Sequence, residues 1–320
     1  MKKTVSMVGA VLAVTQALAF AQPAQQPGAA QGQQRQRPAP DPRDMGGGRC
    51  ADNPYNCADA ANPLPAATTV WLEEMTWMDV RDALKAGKTT IIISTGGIEP
   101  NGPWLVTGKH NYVLHANCDA IARKLGNALC APIIKLVPEG DFDKKTGHMA
   151  SPGTITMRED TFRAVLEDTA RSLKAHGFQN IIFIGDSGGN QEGQRAVAEK
   201  LTTEWKGSPV VAHIQQYYDY ASVAKHMEGQ GIKEGKSDNM HDDPIITLNM
   251  FIDDPNSVRF DQRVKAGKAT INGVDLSDRK KSTELAKKVV DYRATVTADF
   301  IKKSIANKGT LPREARPTQQ

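Results

Sequence analysis

Short runs of β-branched and other apolar residues alternate along this chain with longer stretches in which apolar side chains recur every three or four positions. The runs TTIIIS (89–94), APIIKLV (131–137), NIIFIG (180–185) and PVVAHI (209–214) have the length and composition of buried strands. Between them, residues 75–87, 111–129, 158–177 and 190–205 carry helical spacing, with Thr76 placed to cap the first, and 276–309 reads as one long final helix. Strand and helix in alternation predict right-handed βαβ units: an α/β fold in three layers, α/β/α, around a mainly parallel sheet. No internal repeat is apparent.

The ends of the chain read differently. Lys2 and Lys3, a short apolar run and Ala19-Phe20-Ala21 form a secretory signal peptide over residues 1–21. Residues 22–48, rich in Gln, Ala, Pro, Gly and Arg, bury too little to offset the entropy of ordering and are expected to be a disordered tether. One large domain is expected over 49–309, about 270 residues being ample for a core, with a disordered tail over 310–320. The expected setting is periplasmic or secreted, with no membrane contact after signal cleavage. In that oxidising setting Cys50 and Cys57 are expected to pair, whereas Cys118 and Cys130 read as buried thiols. The net charge of +4 is spread among acids, which argues against a nucleic-acid partner.

Ligands of parallel sheets bind beyond the carboxyl ends of the strands. Chemistry is therefore sought in TGGIEPNGPWLVTGKH (95–110), PEGDFDKKTGHMASPGT (138–154), GDSGGN (185–190) and KSDNMHDDP (236–244). These loops hold Glu99, Asn101, Trp104, His110, His148, Asp186, Ser187, Asn190, His241 and Asp243. The Gly-Asp-Ser-Gly-Gly sequence also fits a nucleophile elbow in a strand-turn-helix setting.

Taken in order, the loops resemble those of the creatininase family from about Val70 to Phe251. The carrying segments are WLEEMTWMDVRDALKAGKTTIIISTGGIEPNGPWLVTGKH, GHMASPGTITM, LKAHGFQNIIFIGDSGGN and HDDPIIT. The resemblance implies a creatininase-like fold, a small-molecule substrate, one or two divalent metals, commonly zinc or manganese, and a homo-oligomer, often hexameric. Glu99 matches the family's first-loop glutamate. Asn101 stands where a ligand histidine is expected, His110 where the bridging aspartate is expected, and Ser187 where the histidine of the glycine turn is expected. His148 and His241 match histidines of the later loops.

Amide and hydroxyl groups bind zinc poorly, so an altered centre is expected. It would hold one divalent ion, drawing on Glu99 and His110 with Asp186, His148, His241 or Asp243, and using His241 or His148 for proton transfer. Trp104, Asn101, Ser187 and Asn190 are expected to face the substrate. The implied activity is hydrolysis of a cyclic amide, lactam or related C–N bond. Two alternatives stay open: a metal-independent hydrolase with Ser187 as nucleophile, and a noncatalytic small-molecule-binding protein.

Overall fold

The structure, a computed structural model, describes residues 41–45 and 47–310; the expected signal peptide, most of the tether and the tail beyond Thr310 lie outside them. The chain divides into two units after Ala60. In the first, a disulfide joins Cys50 to Cys57, and Asp44 Oδ1 accepts from the Cys50 amide at 2.8 Å. Asn53 caps the short 3-10 turn Pro54–Asn56.

The second unit is built on four parallel strands, β1 (Thr90–Thr95), β2 (Ala128–Cys130), β3 (Asn180–Gly185) and β4 (Val210–His213), in the order β2-β1-β3-β4. Central β1 is buried over its whole length, as a strand covered on both faces must be. Helix α1 (Trp77–Lys85) begins at Thr76, whose hydroxyl accepts from the Asp79 amide while Asp79 returns a bond to the Thr76 amide. Helices α2 (Lys109–Leu125), α3 (Glu159–Ala175), α4 (Gln191–Trp205) and α8 (Arg279–Ala306) pack against the sheet, α3 with α4 and α2 with α8. The sheet therefore lies between helical layers, the predicted α/β/α arrangement.

Two expectations are corrected. The strand expected over 131–137 lies earlier, at Ala128–Cys130, because Gly126 ends α2 at a φ of 78° and the chain turns into the sheet at once. Beyond it Pro132 has no amide hydrogen to offer a ladder, and residues 131–137 touch the sheet only through bridges such as Ile134 with Thr95. Cys118 on α2 and Cys130 on β2, expected as thiols, form a disulfide, so that no free cysteine is found among the described residues.

A second apolar cluster joins α5 (Tyr220–Glu228), α6 (Pro244–Asp253), α7 (Phe260–Lys265) and the hairpin of β5 (Thr270–Ile271) and β6 (Val274–Asp275) to α8. Its role for the site is to place the segment preceding α6 over the carboxyl ends of the strands. No described helix is long and apolar enough to cross a membrane.

Candidate metal centre

Side chains converge from four loops. The first, after β1, is tied down by backbone bonds: the Glu99 amide donates to Thr107 O at 2.9 Å, and Asn190 Nδ2 donates to Thr95 O and Gly96 O at 2.9 and 2.8 Å. Asn101 Nδ2 holds Glu99 O at 2.9 Å. Helix α2 starts two residues before the expected segment, so Lys109 and His110 form its first turn and face Glu99 instead of lying in the loop.

Glu99 is the hub, with only 2 % of its surface exposed. Its Oε1 lies 2.7 Å from Lys109 Nζ and 3.1 Å from His110 Nε2, and its Oε2 lies 2.6 Å from His148 Nδ1. His148 sits on the 3-10 turn Gly147–Ala150, and its amide donates to Glu139 O at 3.0 Å. That bond sets Glu139 beside it, with Oε2 3.3 Å from His148 Nδ1. His241 completes the group from a left-handed backbone conformation, φ 56°, that a non-glycine residue adopts at a cost and that is often found at functional sites. Donor atoms of Glu99, His148 and His241 all lie within 4.8 Å of one another.

Behind this face runs a fully buried ionic chain. His110 Nδ1 is 2.8 Å from Asp186 Oδ2, while Asp186 Oδ1 accepts from Tyr220 Oη at 2.8 Å and Arg293 Nη2 at 3.0 Å. The Arg293 guanidinium lies over the rings of Tyr217 and Tyr220, 4.4 and 4.5 Å from their centroids.

Burial alone would neutralise Glu99, yet the hydrogen bonds from His110 and His148 hold its carboxyl well below the usual range. Asp186 is likewise held low against burial, by His110 and Arg293. For His110, burial opposes the charge and the bonds to Asp186 and Glu99 prevail, raising its pKa. Glu139 and Glu99 together push His148 up to about 10, burial raises Glu139, and burial followed by the nearby Lys109 charge lowers His241.

The structure thus gathers Glu99, His110, Asp186, His148 and His241, but in two roles. His110 and Asp186 bond to each other, and Asp186 also accepts from the buried cation of Arg293, outside the three-donor group. Asp243, expected among the ligands, caps α6 through Oδ1 to the Ile246 amide at 2.9 Å, and burial raises it to about 6. Asn101 and Asn190, expected to face substrate, spend their amide donors on backbone. Trp104 is half-buried and packs on the second apolar cluster. Ser187 is buried, and neither His148 nor His241, the histidines that could serve it as base, is hydrogen-bonded to it among the described residues; His148 Nδ1 instead faces Glu99 and Glu139. The reading of the sequence missed Lys109, Glu139, Tyr220 as a partner of Asp186, and Arg293. Lys109 and Glu139 stand inside loops it singled out; Arg293, in the middle of a long helix, carries no local signal.

Fit to a metal can be judged from unmet polar atoms. Buried Glu99 Oε2 is paired with His148 Nδ1 at 2.6 Å, donors of both lie within 4.8 Å of a donor of His241, and buried Glu139 Oε1 has no hydrogen-bond partner among the described residues. One oxygen and two imidazole nitrogens suit a divalent ion such as zinc. Asn101 and Ser187 offer no strong donor beside this group, and Glu99 Oε1 already faces Lys109 Nζ at 2.7 Å.

A mainly parallel α/β/α protein whose strand ends carry a carboxylate-histidine group that could hold a metal ion is the class that fold and site define. Residues 73–309 match the family model Creatininase, described as creatinine amidohydrolase, and the chain belongs to that family. A creatinine amidohydrolase of Pseudomonas putida is 23 % identical over 133 residues, which span 42 % of this chain and 49 % of that relative, about half its length. Among solved structures, a mutant creatininase of Zn-Zn type superimposes with a TM-score of 0.55 at 17 % identity, covering 75 % of this chain and 99 % of its own. A manganese creatininase gives 0.55 at 19 %, covering 74 % and 99 %. A creatinine amidohydrolase-like protein of Bacteroides fragilis gives 0.51 at 18 %, covering 74 % and 98 %. At such identities these likenesses bear on the fold.

Proposed function

We propose that this chain is an exported, metal-dependent hydrolase that opens a cyclic amide, lactam or related C–N bond in a small molecule. The observation that carries the reading is the convergence of Glu99, His148 and His241 donors within 4.8 Å, with Glu139 beside His148 keeping a buried Oε1 that has no hydrogen-bond partner among the described residues. Family membership supports hydrolysis as the reaction class. Glu99, His148 and His241 would hold one zinc or manganese ion. Such an ion, when bound, polarises a carbonyl and acidifies water.

The chain's own groups supply the rest. The Asp186–His110 pair fixes Glu99 from behind, so that Oε2 is presented at one position. His148 and His241, expected as proton carriers, become ligands in this arrangement. Glu139, with a buried unmet Oε1 and its Oε2 beside His148, is the carboxylate placed to hold a proton for the departing nitrogen. Homo-oligomerisation belongs to the same proposal and rests on the family.

Chelator-stripped and reconstituted protein tests the reading against a panel of small cyclic amides and lactams. Activity is expected to vanish on stripping and to return with one equivalent of zinc or manganese. Full activity in protein shown by elemental analysis to be metal-free would overturn it.

A further inference from the structure

Glu99 has two carboxylate oxygens, and the metal reading uses only Oε2. Oε1 faces Lys109 Nζ at 2.7 Å and His110 Nε2 at 3.1 Å. Lys109 is 3 % exposed and is the first residue of α2. Neither fact favours a lysine there: burying an ammonium costs several kcal/mol in lost hydration, and a cation opposes the dipole at a helix N-terminus. No described carboxylate other than Glu99 forms an ion pair with Lys109, so that contact is what offsets both costs. Asn101 and Ser187, buried nearby, contribute no charge.

We propose that the Lys109 ammonium is a built-in cation that claims Glu99 Oε1 in place of a second divalent ion, limiting the protein to one such ion and weakening its hold on it. The inference rests on the metal reading above. A carboxylate shared between an ammonium on Oε1 and a divalent ion on Oε2 gives part of its charge to each, and two cations on one carboxylate repel in a site of low dielectric. The lysine thereby sets affinity as well as stoichiometry. Together with His110 and His148 it also holds the Glu99 carboxylate in place when no metal is present.

The test uses zinc alone as probe, with full-length wild type, Lys109→Met, Lys109→Gln and Lys109→Arg. Equilibrium dialysis with elemental analysis gives stoichiometry, titration calorimetry gives Kd, and melting with and without zinc gives the linked change in stability. Wild type is expected to bind one zinc per chain. Lys109→Met is expected to bind zinc at least tenfold more tightly and to gain more in Tm from it than wild type does, while losing Tm in its absence. Lys109→Gln covers the case in which the methionine variant does not fold, and Lys109→Arg, which keeps the charge, is expected to stay within about threefold of wild type. Two zinc ions per wild-type chain, or unchanged affinity in both neutral variants, overturns the proposal while leaving a metal-dependent hydrolase intact. Absence of zinc binding in every protein overturns this proposal and the metal reading together.

Discussion

A methyl group added at Gly97 would fall on Glu139 Oε1, with His110 Cδ2 at 3.3 Å. Gly97 also has a φ of +159°, where an L side chain is strained, so the substitution burdens the backbone as well as the centre. Gly97→Ala is expected to lower unfolding free energy by about 1–3 kcal/mol and, in the folded protein, to lower metal affinity or turnover by about 10- to 100-fold, the usual effect of displacing a group that orients a ligand histidine. Urea titration and zinc calorimetry on one preparation check both halves, and lost stability with unchanged zinc affinity would show that the glycine serves the fold alone. Arg293 argues the reverse case. Replacing it with methionine leaves Asp186 buried beside a single histidine, and a loss of about 3–5 kcal/mol is expected in urea unfolding; Asp186→Asn in the same background should recover part of it. These two residues also mark how far the site could be read from sequence. Glu99, His148 and His241 were legible because loops at strand ends attract donors. Arg293 was not, because its partner lies 107 positions away and only the packing of α8 brings them together.

At the level of the elements, strands β1, β3 and β4 and all the long helices were legible, since each is long enough for its periodicity to show. The miss at β2 has a physical origin: three residues cannot display a period, and the β-branched run after them, IIKLV, advertised a strand that Pro132 prevents from laddering. The start of α2 was missed because Gly108 caps it without a side-chain signal, and that small error turned Lys109 from a buried ion-pair partner into an apparent loop residue. His213, at the end of β4, offers a test of how strand and helix are joined. Its Nε2 donates to Gln191 Oε1 at 2.9 Å on α4, and burial followed by the charge of Arg195 lowers its pKa to about 4. Unfolded, it would protonate near 6.5. Between those values the unfolded chain holds the extra proton, so the stabilising contribution is complete above about pH 6.5 and is lost as pH falls through 4, by at most about 3 kcal/mol. His213→Gln is expected to flatten the slope of stability against pH in that window, and parallel slopes for variant and wild type would refute the assignment.

For the molecule as a whole, the two disulfides connect covalent chemistry to the compartment. Cys50–Cys57 closes a short loop within the first unit, whereas Cys118–Cys130 is fully buried and ties the middle of α2 to β2 in the second. The latter bridge matters more to the centre, because α2 carries Lys109 and His110 in its first turn, and any freedom it gains reaches Glu99 directly. Closing a loop of this size contributes about 3 kcal/mol, chiefly by restricting the unfolded chain. Export, as proposed above, would let both bridges form, with the expected signal cleavage after Ala21. Secreted material is therefore expected to begin at Gln22 by N-terminal sequencing and to present no thiol to maleimide in denaturant. The double substitution Cys118→Ala with Cys130→Ala is expected to melt about 5–10 °C lower, with the largest drop in zinc-free protein, where only the ion pairs of Lys109 and His110 steady the first turn of α2. Were the same chain, produced in a reducing cytoplasm with all four thiols titratable, to match secreted material in Tm and zinc affinity, the bridges would be incidental to the centre and the argument for export from its covalent structure would fall.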